Sequence, residues 1–174
     1  MPARCIMIFP DFEKMALLEA VREKYDPLYR LIRPHITLVF PFQSEITAKE
    51  LASHLRSALA GEKAFSIVMG GISGRREAGG NYLFLNVKQG AEEIRLISGK
   101  LYGGILSPYK SARYDASYTP HITLGQIRDM HVFDAALKEL LNFGHVFSAT
   151  AREVAVEMIG EDGSSTIEAA FPLL

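Results

Sequence analysis

The pentapeptide Pro34-His35-Ile36-Thr37-Leu38 recurs as Pro120-His121-Ile122-Thr123-Leu124, close to half the chain length later. Each copy is short, apolar apart from its His and Thr, and rich in β-branched residues, so each reads as a strand. Side chains alternate along a strand. His35 and Thr37 therefore share one face with Ile36 and Leu38 behind them, and His121 and Thr123 share one face with Ile122 and Leu124 behind. Val39 and Gly125 come next on the polar faces, and neither is bulky, which would leave room for a ligand. Two imidazoles and two hydroxyls brought across a cleft make a defined chemistry. A neutral His serves as general base on water or an alcohol, and a protonated His serves as general acid on a leaving oxygen. The Thr hydroxyls can donate to non-bridging phosphoryl oxygens, where charge builds up in an in-line displacement at phosphorus. Nothing in this scheme requires a metal.

A duplication keeps core residues for packing, but packing gives no reason to keep a His and a Thr on the opposite face of both copies. The surrounding elements repeat as well. In the first half, Arg4–Phe9 reads as a strand, Asp11–Tyr25 as a helix capped by Asp11, His35–Phe40 as a strand, Thr47–Leu59 as a helix with a Thr47/Glu50 capping box, and Phe65–Met69 as a strand. In the second half the order is strand Tyr82–Val87, helix Ala91–Tyr102, strand His121–Ile127, helix Val132–Leu141 and strand Val146–Ala149, closed by a hairpin of Val154–Ile159 and Thr166–Phe171. Each half thus runs strand, helix, His-bearing strand, helix, strand. No linker separates them, so one unit over residues 1–174 is expected, with repeats at approximately 1–72 and 81–159. Ser73–Asn81 and Gly103–Thr119 read as loops, the second long enough to suggest function.

Composition sets limits. In 174 residues, 48% are hydrophobic and 22% charged, an ordinary globular balance. Nineteen Lys and Arg against twenty Asp and Glu leave a net charge of −1. That excludes a grip on many phosphates of a long duplex and points to a short nucleic acid, or one held by its end. Cys5 is the one cysteine, so no internal disulfide forms, and it reads as a small buried hydrophobe. No run reaches the length of a membrane span and no signal peptide is evident, so a cytoplasmic protein without membrane association is expected. His54, His131 and His145 read as solvent-facing or boundary residues. Asp115 is the nearest candidate third ligand for a metal, but no ligand spacing supports one, and no metal or cofactor is expected.

The two motifs, His35-Ile36-Thr37-Leu38 and His121-Ile122-Thr123-Leu124, resemble the paired H-h-S/T-h signature of the 2H phosphoesterase superfamily, which includes the 2′-5′ RNA ligase-like RNA 2′,3′-cyclic phosphodiesterases. The order of elements agrees over nearly the whole chain. The resemblance implies an α+β fold, a bilobed pseudo-two-fold duplication of mainly antiparallel sheets with helices on the outer faces and a central cleft. Simple strand-helix alternation would instead suggest a parallel sheet. The resemblance also implies His35 and His121 as the acid/base pair and Thr37 and Thr123 as holders of the phosphoryl oxygens. The implied reaction is metal-independent opening of a 2′,3′-cyclic phosphate on a small cyclic nucleotide or RNA end, with 2′-5′ ligation as a further activity of the family. Arg33, Arg113 and Tyr118 lie near the motifs along the chain and are candidates to bind the rest of the substrate. Lys110, Phe40, Phe42 and Tyr114 are weaker candidates, with Phe40 assigned to packing. A non-catalytic RNA-end or nucleotide-binding module built on the same cleft is the competing reading.

Overall fold

The computed structural model describes residues 3–77, 79–111 and 118–174. The apolar run near the start forms β1 (Ala3–Ile8), buried along most of its length. Helix α1 (Met15–Tyr25) follows and buries Leu18, Val21 and Arg22. It starts later than Asp11, with Lys14 at the N-cap position and no capping side chain. The reason is Phe12, which is drawn into the core and whose carbonyl accepts from Met15 N–H in a preceding turn. The first His-bearing strand is β2 (Ile36–Gln43). Helix α2 (Ala48–Ala58) carries the expected capping box, with Thr47 Oγ1 accepting from Glu50 N–H and the Glu50 carboxylate accepting in return.

β3 (Phe65–Glu77) and β4 (Gly80–Gln89) form a long hairpin. The segment Ser73–Asn81, expected as a loop, is thus mostly ladder: Arg75 pairs with Tyr82 and Arg76 with Asn81. Alternation carries the strand through a polar, glycine-containing stretch because β4 supplies its hydrogen bonds. Helix α3 (Ala91–Leu101) buries Ile94, Ile97 and Leu101. A 3₁₀ turn occupies Gly104–Tyr109 within the expected second loop. Then come β5 (His121–Ile127), α4 (Met130–Leu140, capped by Asp129), β6 (Val146–Ala151), β7 (Glu153–Ile159) and β8 (Ser165–Pro172).

Among the described residues the strands make one eight-stranded sheet in the order β6-β3-β4-β5-β2-β1-β7-β8. Every neighbouring pair is antiparallel. The order reads the same from either end once β1 is matched with β4, β2 with β5, β3 with β7 and β6 with β8. The helices interlock the halves: α1, which follows β1, packs on β5, and α3, which follows β4, packs on β2. Each His-bearing strand therefore rests on a helix from the other half. The chain is an α+β fold of two pseudo-symmetric sheet halves meeting at β2 and β5. No helix among the described residues is long and apolar enough to cross a membrane.

Candidate active site

The two halves meet at one register pair, Ile36 with Ile122. Both isoleucines are fully buried, as are Leu38 and Leu124. Each such side chain contributes about 1.5–3 kcal/mol of burial, so the direction of its strand's opposite face is firmly set. Continuing the antiparallel register places His35 opposite Thr123 and Thr37 opposite His121, all four on the face away from the isoleucines. The two histidines are then diagonal neighbours, about 7–8 Å apart at the backbone. Burial first, and the charge of His35 after it, lower the pKa of His121.

The rings are held alike. His35 Nδ1 bonds the Arg33 carbonyl at 2.9 Å and His121 Nδ1 bonds the Thr119 carbonyl at 2.8 Å. A carbonyl only accepts, so Nδ1 carries the proton in both rings. Nε2 is left as the lone pair of the neutral form and the second donor of the cation. Burial among the strands is the first cause lowering the pKa of each ring below the ordinary imidazole value of 6.5, partly offset by these carbonyl bonds. Phe84 stacks on His121 with centroids 3.7 Å apart, while Phe9 meets His35 edge-on at 6.1 Å.

Val39 and Gly125 do not lie on the open face. Ile6 pairs with Val39 while Met7 pairs with Thr37, and Leu83 pairs with Gly125 while Phe84 pairs with Thr123. One extra residue therefore sits in β2 at Leu38 and in β5 at Leu124. These matched bulges turn the following residue toward the helices. Val39 is buried in the core. A Cβ on Gly125 would lie 2.8 Å from Tyr25 Cβ, so the glycine serves the close approach of α1 and not that of a ligand.

Of the other expected contacts, Arg33 stands at the mouth, exposed, its guanidinium 4.5 Å from the centre of the Phe9 ring. Tyr118 is 7% exposed. Its hydroxyl donates to the Thr37 carbonyl and its own carbonyl accepts from Arg95 Nε. It ties the approach to β5 onto β2, so it positions the site and does not offer a free hydroxyl to a substrate. Arg113, together with Tyr114 and Asp115, lies outside the described residues. His54 is half-buried, and its Nε2 bonds the Leu101 carbonyl at the end of α3, a role that mid-helix position alone does not reveal. Cys5 is buried as expected, with Sγ donating to the Val39 carbonyl. No three His, Cys, Asp or Glu side chains among the described residues group as a metal site.

Several groups at the site escape the sequence reading. The alternation of Tyr82, Phe84 and Asn86 along β4 was visible, but the register that sets Asn86 against His121 and Phe84 against Thr123 was not. Arg75, paired with Glu77 at 2.9 Å, is close enough for its charge to reach His121. Arg22 is buried inside α1. It donates to Asp26, Glu19 and the Ile32 carbonyl, anchoring the loop that delivers His35.

Glu157 is the most unusual of these groups. It pairs with Cys5 in register, and Cys5 shares a face with Met7, the partner of Thr37. It is 1% exposed and its Oε1 has no hydrogen-bond partner among the described residues. Burial lifts its pKa from 4.5 to about 7 despite the opposing charge of Arg33. The folded protein thus binds more protons than the unfolded chain between those two values, so stability falls as pH rises through that window. Glu157→Gln should remove this slope. At pH 8 we expect the variant to melt about 5 °C above the parent, for a gain of about 2 kcal/mol, with no comparable gain near pH 4.5. Equal shifts at both pH values would contradict a neutral buried carboxyl.

The 2′-5′ RNA ligase superfamily profile matches residues 10–163, most of the chain and both motifs. The chain belongs to the 2′-5′ RNA ligase superfamily. A Bacillus cereus relative named "Putative phosphoesterase" is 28% identical over 122 residues, covering 70% of this chain and 67% of the relative. Among solved structures, a Thermus thermophilus protein superimposes with a TM-score of 0.68 at 16% identity, covering 99% of this chain and 98% of that one. Escherichia coli LigT, solved with 3′-AMP, gives 0.63 at 17% identity and 99% coverage of both chains. The mainly antiparallel α+β fold expected from the resemblance is the fold of these structures.

Proposed function

We propose that the protein opens 2′,3′-cyclic phosphates of small nucleotides or RNA ends, using His35 and His121 as the proton-transfer pair and Thr37 and Thr123 as donors to the phosphoryl oxygens. The observation that carries this reading is the matched pair of Nδ1–H bonds, which leave two Nε2 atoms on one face astride the Ile36–Ile122 pair. A phosphorus between them is reached from both sides. The neutral ring takes a proton from water as its oxygen bonds to phosphorus. The P–O3′ bond breaks, and the protonated ring gives its proton to O3′, leaving a 2′-phosphate. The Thr hydroxyls offset charge on the non-bridging oxygens. With a ribose 5′-hydroxyl in place of water as the nucleophile, the same step, bonding that oxygen to phosphorus as P–O3′ breaks, makes a 2′-5′ linkage. The binding of 3′-AMP by E. coli LigT supports a nucleotide ligand here, and the near-zero net charge supports a short one. The eight strands of the described residues form a single sheet, and on this proposal the repeats at approximately 1–72 and 81–159 form one catalytic unit.

Turnover of nucleoside 2′,3′-cyclic phosphates, 2′-5′ dinucleotides and an ADP-ribose cyclic phosphate tests the reading, with product regiochemistry followed by phosphorus NMR. Hydrolysis of the cyclic nucleotides to 2′-phosphates, undiminished by a strong chelator, is expected. Tight binding without turnover would favour a binding module instead. The pH dependence is specific. Catalysis needs one ring neutral and one protonated, and both pKa values lie below 6.5. The bell in kcat/KM should therefore centre on the acid side of 6.5. A profile rising to a plateau above pH 8 would contradict a histidine acid.

A further inference from the structure

Next to the His35 flank lies a groove of about 390 Å³ whose wall carries Phe9, Tyr29, Arg30, Arg33 and Ile167. The groove holds two arginines. Arg4, Arg22, Arg75 and Arg76 each hold a carboxylate, whereas neither Arg30 nor Arg33 has an ion-pair partner among the described residues. Glu19 at the groove edge is engaged by Arg22 at 3.1 Å. The loop carrying both arginines is tied down: the Ile32 carbonyl accepts from Arg22 at 2.7 Å and the Leu31 carbonyl accepts from Ser165 N–H at 3.1 Å. Arg33 lies over Phe9, and Phe9 touches His35. The guanidinium is therefore one aromatic ring beyond the imidazole, a step on the scale of one nucleotide. Guanidinium groups with no carboxylate bonded to them, on an anchored loop, are preorganised donors for a phosphate.

We propose that this groove binds the phosphate on the 5′ side of the nucleotide whose terminal phosphate lies between His35 and His121. The inference rests on the cyclic phosphodiesterase reading and narrows its substrate. The preferred substrate carries a second phosphate, either a 5′-monophosphate or the phosphodiester of an RNA end, and a bare nucleoside cyclic phosphate fills only half the site. Arg30 and Arg33 supply the donors, and Phe9 holds Arg33 in place through its ring face.

Calorimetric binding of product-like ligands tests this. Adenosine 2′,5′-bisphosphate should bind about tenfold more tightly than adenosine 2′-phosphate, as expected for one added charge-assisted contact. The ratio of the two Kd values should fall toward one in Arg30→Ala and in the Arg30→Ala, Arg33→Ala pair. It should be largely restored in Arg30→Lys, and it should shrink with added salt. A dinucleotide ending in a 2′-phosphate separates the sources. Binding as tight as the bisphosphate marks an RNA end, and weaker binding marks a 5′-monophosphate. A ratio near one in the parent protein, or a ratio unmoved by Arg30→Ala, overturns the proposal. If cyclic nucleotides turn over but the ratio is one, the groove alone is refuted. If nothing turns over but the ratio holds, the catalytic reading fails and an anion site remains.

Discussion

Alanine in place of His121 should lower kcat/KM for a nucleoside 2′,3′-cyclic phosphate by about 10²–10⁴-fold, the usual worth of one positioned proton-transfer group. His35→Ala should cost a similar factor, and the double variant little more than either alone, because the two rings act on one event and their losses do not add. Neither ring is part of the hydrophobic core. His121 stands on the open face of β5 against Phe84, so its removal should leave the fold intact, with an unchanged far-ultraviolet spectrum and a melting temperature within a few degrees. The surviving ring should also leave its mark: with one imidazole gone, one limb of the pH profile should flatten. Wild-type turnover in the double variant would refute the assignment outright.

The second large effect belongs to the hydroxyls. Thr37→Val and Thr123→Val keep shape and β-branching, so each half-buried strand position should tolerate the change. Each should nevertheless lose about 10²–10³-fold in kcat, because a donor to a developing phosphoryl charge matters most in the transition state. The loss should fall on kcat more than on KM. A variant that raised KM while keeping kcat would show the hydroxyl merely binding substrate. Serine at either position should recover much of the rate, since it restores the donor, whereas a purely structural role would make serine worse than valine.

Most of what positions these groups could be read from the chain. The alternation of His-Ile-Thr-Leu set the polar and apolar faces of β2 and β5, and Ile36, Leu38, Ile122 and Leu124 are buried as that alternation requires. Thr47 with Glu50, and Ile94, Ile97 and Leu101, located α2 and α3. What failed depended on neighbours in space. The bulges that turn Val39 and Gly125 inward arise from pairing with β1 and β4, and no local pattern announces an extra residue. The β3–β4 hairpin runs through a polar stretch that looks like a loop until its ladder partner is known. The burial of Arg22 has no local signal, because the loop carbonyl it binds lies ten positions on. The burial of Glu157 follows from pairing with Cys5 and Ile167, neither of them near it in sequence. The crossing of α1 onto β5 and α3 onto β2 is likewise a property of topology, legible only once the strand order is known.

A crystal structure with uridine and vanadate, which together mimic the five-coordinate phosphorus, tests the central claim most directly. The account predicts vanadium between the two strands, His35 Nε2 and His121 Nε2 each about 2.6–3.2 Å from opposite apical oxygens, and the Thr37 and Thr123 hydroxyls on equatorial oxygens. Vanadate bound through one histidine alone, or held elsewhere with the two rings turned to separate surfaces, would contradict it.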